Sequence, residues 1–344
     1  MSFVVYSQDL RRLGGFCNTG GNGTMHVRKA VITAAGRGVR LYPVAETVQK
    51  GMLPIVDRDG LAKPVIQIIA EEALDSGVEE VCVICAPGDE SRYRAQLHLL
   101  RDNLVHAYEG VDWAREQAQR LDRVLRHLHF AVQEEPRGYG HAVYLAREFV
   151  DGEPFLLLLS DHLYVSHMAS RRCAQQLIDI AVREECAVAV VQVTREHLVG
   201  HYGTLSGKRV PDAPGLYQIE KIIEKPSLSM AELHLQTPGL RAGFYLCLFG
   251  MHVLPPSVFD ALEPEVAAYK NGDPEIQLTP ALQELAKRER YLAVEVAGAR
   301  YDIGSRFGML QTQLALSMAG KDRDEVLRVL VDVLAEAGMR RPAG

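Results

Sequence analysis

An α/β fold, with a Rossmann-like, mixed but mainly parallel sheet flanked by helices, is predicted by three observations in this 344-residue chain. Residues 30–35 form an apolar run around Val31 and Ile32, as suits a strand covered on both faces. Ala34, Ala35, Gly36 and Gly38 follow at once. Next come a helical stripe over residues 63–76 (Val65, Ile66, Ile69, Ala70, Ala73, Leu74), closed by Gly77, and a second strand over 80–86. Strand, glycine turn, helix, strand makes a right-handed parallel unit. Lastly, residues 155–159 are an unbroken apolar run ending in Ser160-Asp161. A central parallel strand that delivers a carboxylate at its carboxyl end is where such sheets hold ligands.

Bulk properties narrow the function. A net charge of -6 argues against a nucleic acid or a membrane surface as partner, since either favours a basic face. No window approaches the run of about 18 apolar residues that a membrane helix needs, and residues 1–10 lack the layout of a secretory signal. A cytoplasmic enzyme is the expectation. The six cysteines (17, 82, 85, 173, 186, 247) form no disulfide framework. Cys82 and Cys85 sit in a strand-like run where residues three apart face opposite ways, so they read as buried thiols rather than as a zinc or redox pair.

In chain order, the glycine-crowded residues 1–24 read as a flexible leader, with Met25 an alternative start. In the turn after the first strand, small residues leave backbone N–H groups open to an anion such as a phosphate, with Arg40 and Lys50 beside them as fixed positive charge. Leu41 stands where a dinucleotide-binding fingerprint would place its third glycine. The Asp-Gly of residues 57–64 suggests a turn. Residues 89–126 read as two surface helices and 127–133 as a strand ending in Gln133, whose amide both donates and accepts and so matches a pyrimidine imide edge. Gly138 and Gly140 let backbone approach a flat base.

A helix over 171–184 then precedes a strand over 187–193, a hairpin loop over 208–215 and a long strand over 241–251. Pro255 and Pro256 start a helix, and residues 291–296 alternate as a strand. Two helices, over 308–318 and 324–335, close the chain. They offer a surface for a homo-oligomer. The expected division is a leader over 1–24, a main domain over 25–318 and a C-terminal helix and tail over 319–344.

The string G-x-G-x-R-L-x-P followed by K-x-M-L-P, then Gln133 with G-Y-G-H-A, Asp161, Y-G at 202–203, E-K-P at 224–226 and D-x-G at 302–304 resembles the sugar-1-phosphate nucleotidylyltransferases. The likeness is strongest to the bacterial UTP:glucose-1-phosphate uridylyltransferases. It covers residues 27–317. It implies that UTP and glucose 1-phosphate give UDP-glucose and pyrophosphate, with a small sugar-binding β lobe beside the sheet. It further implies that Ala35, Gly36, Gly38, Gln133, Gly138 and Gly140 bind the nucleotide, that Gly203 and Glu224 bind the sugar, and that Arg40, Lys50 and Lys225 act on the phosphates. Asp161 and Asp302 would hold Mg2+. The chain departs from the motif at Ala45-Glu46, where Thr-Lys is usual, and at Gln49, Gly51 and Glu134. Another sugar 1-phosphate with UTP or dTTP, or a nucleotide-sugar sensor without turnover, therefore remains an open reading.

Overall fold

The computed structural model describes residues 25–36, 38 and 47–339. The expected leader, Arg40, Leu41 and Ala45-Glu46 fall outside the described residues. Strand β1 (Lys29–Thr33) is followed by a hairpin, β2 (Pro54–Val56) and β3 (Ala62–Pro64), then by α1 (Val65–Leu74) and β4 (Glu80–Cys85). Helices α2 (Asp89–Ala107) and α3 (Asp112–His127) lead to β5 (Leu128–Val132), and short α4 (Tyr139–Tyr144) and α5 (Arg147–Val150) lead to β6 (Phe155–Leu159). Then come β7 (His162–Ser166), α6 (Cys173–Glu184), β8 (Ala187–Arg195), β9 (Thr204–Arg209), β10 (Leu216–Ile223), α7 (Leu228–His234) and β11 (Phe244–Leu254). The chain continues through α8 (Ser257–Ala268), α9 (Leu278–Arg288), β12 (Tyr291–Val294), β13 (Gly298–Asp302), α10 (Gly308–Met318) and α11 (Arg323–Met339).

Nine strands share one sheet in the order β5-β4-β1-β6-β11-β8-β12-β10-β9. The first four are mutually parallel, and β11 enters antiparallel to both neighbours, so the sheet is mixed as expected. Both faces of the parallel half are covered. Ile32, Leu156, Leu158 and Val83 point into one core, while Val31, Leu157, Cys82 and Ile84 point into the other. Burying each such aliphatic side chain stabilises the fold by about 1.5–3 kcal/mol. Cys82 and Cys85 do face opposite cores, and burial pushes their thiols up to about 12 and about 11. Neither carries a reactive thiolate near neutral pH.

Beyond β11 the sheet turns back on itself. A pairing of Leu246 and Cys247 in β11 with Leu205 and Thr204 in β9 closes β11, β8, β12, β10 and β9 into a ring, the small β lobe. Several boundaries differ from expectation, the last helix among them, which runs to Met339 rather than 335. Residues 62–64 extend as β3 before the helix, because Pro64 and its hairpin partner Pro54 favour extended backbone. The long strand begins at Phe244 rather than 241, after a turn in which the Phe244 amide donates to the Arg241 carbonyl, and it runs on to Leu254. Residues 298–302 pair with 162–166 as a separate ribbon, which was not expected from the sequence.

Candidate active site

Strands β1, β5 and β6 end on one side of the sheet, and the segments that leave them enclose a cavity of about 580 Å³. Ala35, Gly36 and Gly38 line it from the first turn. A methyl group on Gly36 would meet nothing within 4 Å, and Gly38 adopts φ +64°, so this backbone lies open towards the cavity. A short 3-10 turn, Lys50–Met52, brings Lys50 to the same wall. Its Nζ donates to Asp161 Oδ2 at 3.0 Å, with the two side chains only 15% and 17% exposed. Asp161 itself follows β6, held by the Ser160 amide donating to the Thr33 carbonyl and by the Ile303 amide donating to its own carbonyl.

That last bond joins Asp161 to the β13 corner. Asp302, the final residue of β13, stands opposite His162 across the ribbon, and its Oδ1 accepts from the Gly304 amide at 2.8 Å. Ligand atoms of Asp161, His162 and Asp302 all lie within 4.8 Å of one another. Two carboxylates at that spacing fit a hard divalent cation that prefers oxygen.

Gln133 is buried at the cavity wall. Its Nε2 donates to the Gly138 carbonyl at 3.1 Å and lies 3.0 Å from Nδ1 of His141, whose pKa is lowered by burial and then by Arg137. The amide donor is thus committed to protein, and Oε1 is left for a ligand. Gly138 lines the cavity, but Gly140 does not: a methyl on it would lie 2.8 Å from the Gln277 carbonyl. The approach that Gly140 permits is to the chain at 276–277, whose Ile276 carbonyl accepts from the Gly140 amide, which corrects the expectation that this glycine meets the base.

Gly203 and Glu224, the residues expected to bind the sugar, are adjacent, since a methyl on Gly203 would lie 3.2 Å from Glu224 Oε2. The Gly203 carbonyl accepts from the Leu248 amide, and Glu224 Oε2 accepts from Thr279 Oγ1 at 2.6 Å. Lys225 does not line the cavity. It is 62% exposed with Nζ 3.7 Å from Glu224 Oε1, and its backbone adopts φ +41° just before Pro226. Tyr139 connects the two sides: its phenol is pushed up by burial, then by the Glu224 and Asp161 carboxylates.

The sequence profile of a family described as nucleotidyl transferase matches residues 29–317. The chain belongs to this family. A UTP–glucose-1-phosphate uridylyltransferase of Streptococcus pyogenes is 34% identical over 322 residues, covering 90% of this chain and 95% of the relative. A second from the same species is 32% identical over 320 residues, with 90% and 97% covered. Among solved structures, a UDP-glucose pyrophosphorylase complexed with UDP-glucose superposes with a TM-score of 0.67 at 27% identity, over 84% of this chain and 98% of that one.

In this nucleotidyl transferase two departures from the motif have local causes. A methyl on Gly51 would lie 2.9 Å from Tyr93 Oη and 3.2 Å from Ile66, so the tyrosine fills the volume a larger residue would need. Gln49 Nε2 donates to Asp89 Oδ1 at 2.9 Å, and Glu134 is exposed. Sequence reasoning singled out neither Tyr139 nor His162 and gave Glu275 no role, although Tyr139 and Glu275 line the cavity. Tyr139 was visible only as the residue between two glycines.

Proposed function

We propose that this transferase moves a uridylyl group from UTP to glucose 1-phosphate, releasing UDP-glucose and pyrophosphate. The observation that carries the reading is the Lys50–Asp161 pair beside an open glycine turn, in a cavity that also holds Gln133. The attacking phosphate oxygen of glucose 1-phosphate is already ionised at neutral pH. It forms a new bond to the α-phosphorus while the bond from that phosphorus to the bridging oxygen breaks, and the electron pair leaves with pyrophosphate. No general base is needed, so the protein's work is positioning and offsetting charge.

Backbone N–H groups at Ala35, Gly36 and Gly38 bind the β and γ phosphates in this reading, with Arg40, outside the described residues, as their cationic partner. Lys50 stabilises the charge that develops at the α-phosphorus. Gln133 Oε1 accepts from the N3–H of uracil, since its donor is already committed. Gly203 and Glu224 meet sugar hydroxyls, and Lys225 must turn inward to reach a phosphate. Asp161 and Asp302 would hold Mg2+, which when bound neutralises phosphate oxygens and draws the two anionic substrates together.

The cytoplasm suits such an enzyme, and the five described cysteines are buried and unbridged. Among the described residues no helix is long and apolar enough to cross a membrane. The decisive experiment is pyrophosphate release from four nucleoside triphosphates against several sugar 1-phosphates. Release from dTTP in preference to UTP replaces the substrate assignment, and no release with any pair leaves a binding protein.

The homo-oligomer belongs to this reading too. Helix α11 exposes Leu327, Val331, Val333 and Leu334, and a helix with so wide an apolar surface needs cover. A second copy of α11 packed along the Leu327–Val331–Leu334 stripe would supply that cover. Sedimentation of the full chain should report a dimer that Leu327→Asp with Leu334→Asp dissociates; a wild-type monomer at micromolar concentration refutes it.

A further inference from the structure

Strand β13 carries a second functional side chain. Arg300 and Asp302 are two residues apart on a strand, so they project from the same face with their Cα atoms about 7 Å apart. The Arg300 guanidinium lies 4.2 Å from the Tyr202 ring centroid and 6.0 Å from that of Phe249. Its Nη1 donates to the Leu248 carbonyl at 2.9 Å, while its Nε is buried with no hydrogen-bond partner. No carboxylate of the described residues is within ion-pair distance. Arg172, of similar burial, instead holds Asp75 at 2.6 Å.

A partly buried guanidinium without a counter-ion is costly, and cation–π contacts worth about 0.5–2 kcal/mol do not replace one. The connections it makes are informative. Leu248, whose carbonyl Arg300 holds, donates its amide to the Gly203 carbonyl, and Tyr202, on which Arg300 stacks, is the residue before Gly203. Gly203 in turn abuts Glu224. Arg300 therefore ties the strand bearing Asp302 to the corner bearing Gly203.

We propose that Arg300 is a positioning residue for the sugar 1-phosphate. It sets the spacing between the Gly203–Glu224 corner and the Asp302 corner, and its uncompensated charge favours an anionic sugar over a neutral one. This rests on the reading of the site as a sugar-1-phosphate nucleotidylyltransferase.

The test compares Arg300→Met and Arg300→Lys with wild type in the Mg2+-loaded full chain. For Arg300→Met the KM for glucose 1-phosphate should rise about tenfold or more, with the Kd for UTP by calorimetry within about twofold of wild type. Arg300→Lys should recover part of that loss, because it restores charge without the planar fork. A folded Arg300→Met with unchanged KM for glucose 1-phosphate overturns the proposal, as does an equal loss for both substrates. Should Arg300→Met fail to fold, Arg300→Lys alone decides: a several-fold rise confined to the sugar phosphate supports it, and an unchanged KM overturns it. A wild type that releases no pyrophosphate with any sugar 1-phosphate sinks the enzymatic reading instead, whatever Arg300 does.

Discussion

Lys50 and Lys225 carry the same charge in the same proposed reaction, yet the first is 15% exposed and fixed 3.0 Å from Asp161, while the second is 62% exposed and 3.7 Å from Glu224. The contrast extends to their surroundings. Lys50 stands among the carboxyl ends of four parallel strands packed on both faces, where Thr33, Gln133 and Ser160 have their backbone amides or carbonyls tied to neighbouring strands. Lys225 follows β10, a strand of the ring, with Pro226 next to it. In the proposed reaction both lysines must part from a carboxylate to meet phosphate, but Lys50 does so from a wall already formed, whereas Lys225 must also swing in from an exposed position. Preorganisation on one side and rearrangement on the other predict different kinetic signatures.

The contrast breaks most directly at Asp161 and Lys50. Asp161→Ala or Lys50→Ala should each lower kcat for pyrophosphate release by about a thousandfold, with a melting temperature close to wild type. A wild-type rate in either variant removes that residue from the reaction. On the open side, Glu224→Ala should raise the KM for glucose 1-phosphate by about a hundredfold through loss of hydrogen bonds to hydroxyls, and Lys225→Ala should cost less, about tenfold. A larger loss in Lys225→Ala than in Lys50→Ala would invert the comparison.

Rigidity of the nucleotide side can be probed without touching substrate. Gly51→Ala should destabilise the fold by about 1–3 kcal/mol in chemical denaturation through overpacking against Tyr93, and Tyr93→Phe should recover part of it. If Gly51→Ala is neutral, the wall is softer than its contacts suggest.

The smallest effect serves as a reference away from the site. Burial pushes the Glu72 carboxyl in α1 up to about 7, although it accepts from the Ala174 amide. The folded state then holds a proton that the unfolded chain releases near the ordinary carboxylate range. Stability from this group is full at low pH and falls as pH rises from about 4.5 towards about 7. Glu72→Gln should flatten the pH dependence of the melting temperature over that window, and an unchanged slope would show that Glu72 ionises normally.

Much of the nucleotide side was legible in the sequence because it is local. Val31 and Ile32, the small residues after them, and the apolar run before Ser160-Asp161 each announce themselves within a few positions. Position on the sugar side depends on contacts between distant segments, and these were read less well. The pairing of β9 with β11 and the ribbon joining His162 to Asp302 have no periodic signature in either partner alone. The role of Gly140 was misread because a glycine signals only that something is close, and here that something is the Gln277 carbonyl, 137 residues away in the chain. Lys225 was placed from its motif, which says nothing of rotamer or exposure. Gly51 was recorded as a mere departure, since its reason, Tyr93, lies on a different helix.

Strand β11 belongs to both regions: Met251 to Leu254 pair with β6 under the nucleotide wall, and Leu246 and Cys247 pair with β9 in the lobe. The lobe is therefore not hung on a linker, and it has no axis about which to swing as a separate body. What give there is lies within the plank itself, where register slips between Leu248 and His252 and Gly250 sits at φ +83°. We expect closure over a bound sugar to be a flexing of a few degrees at that joint, where Gly250→Ala would both strain the left-handed backbone and push a methyl against His162 Nδ1, so that its effect would be felt at both ends of the cleft at once.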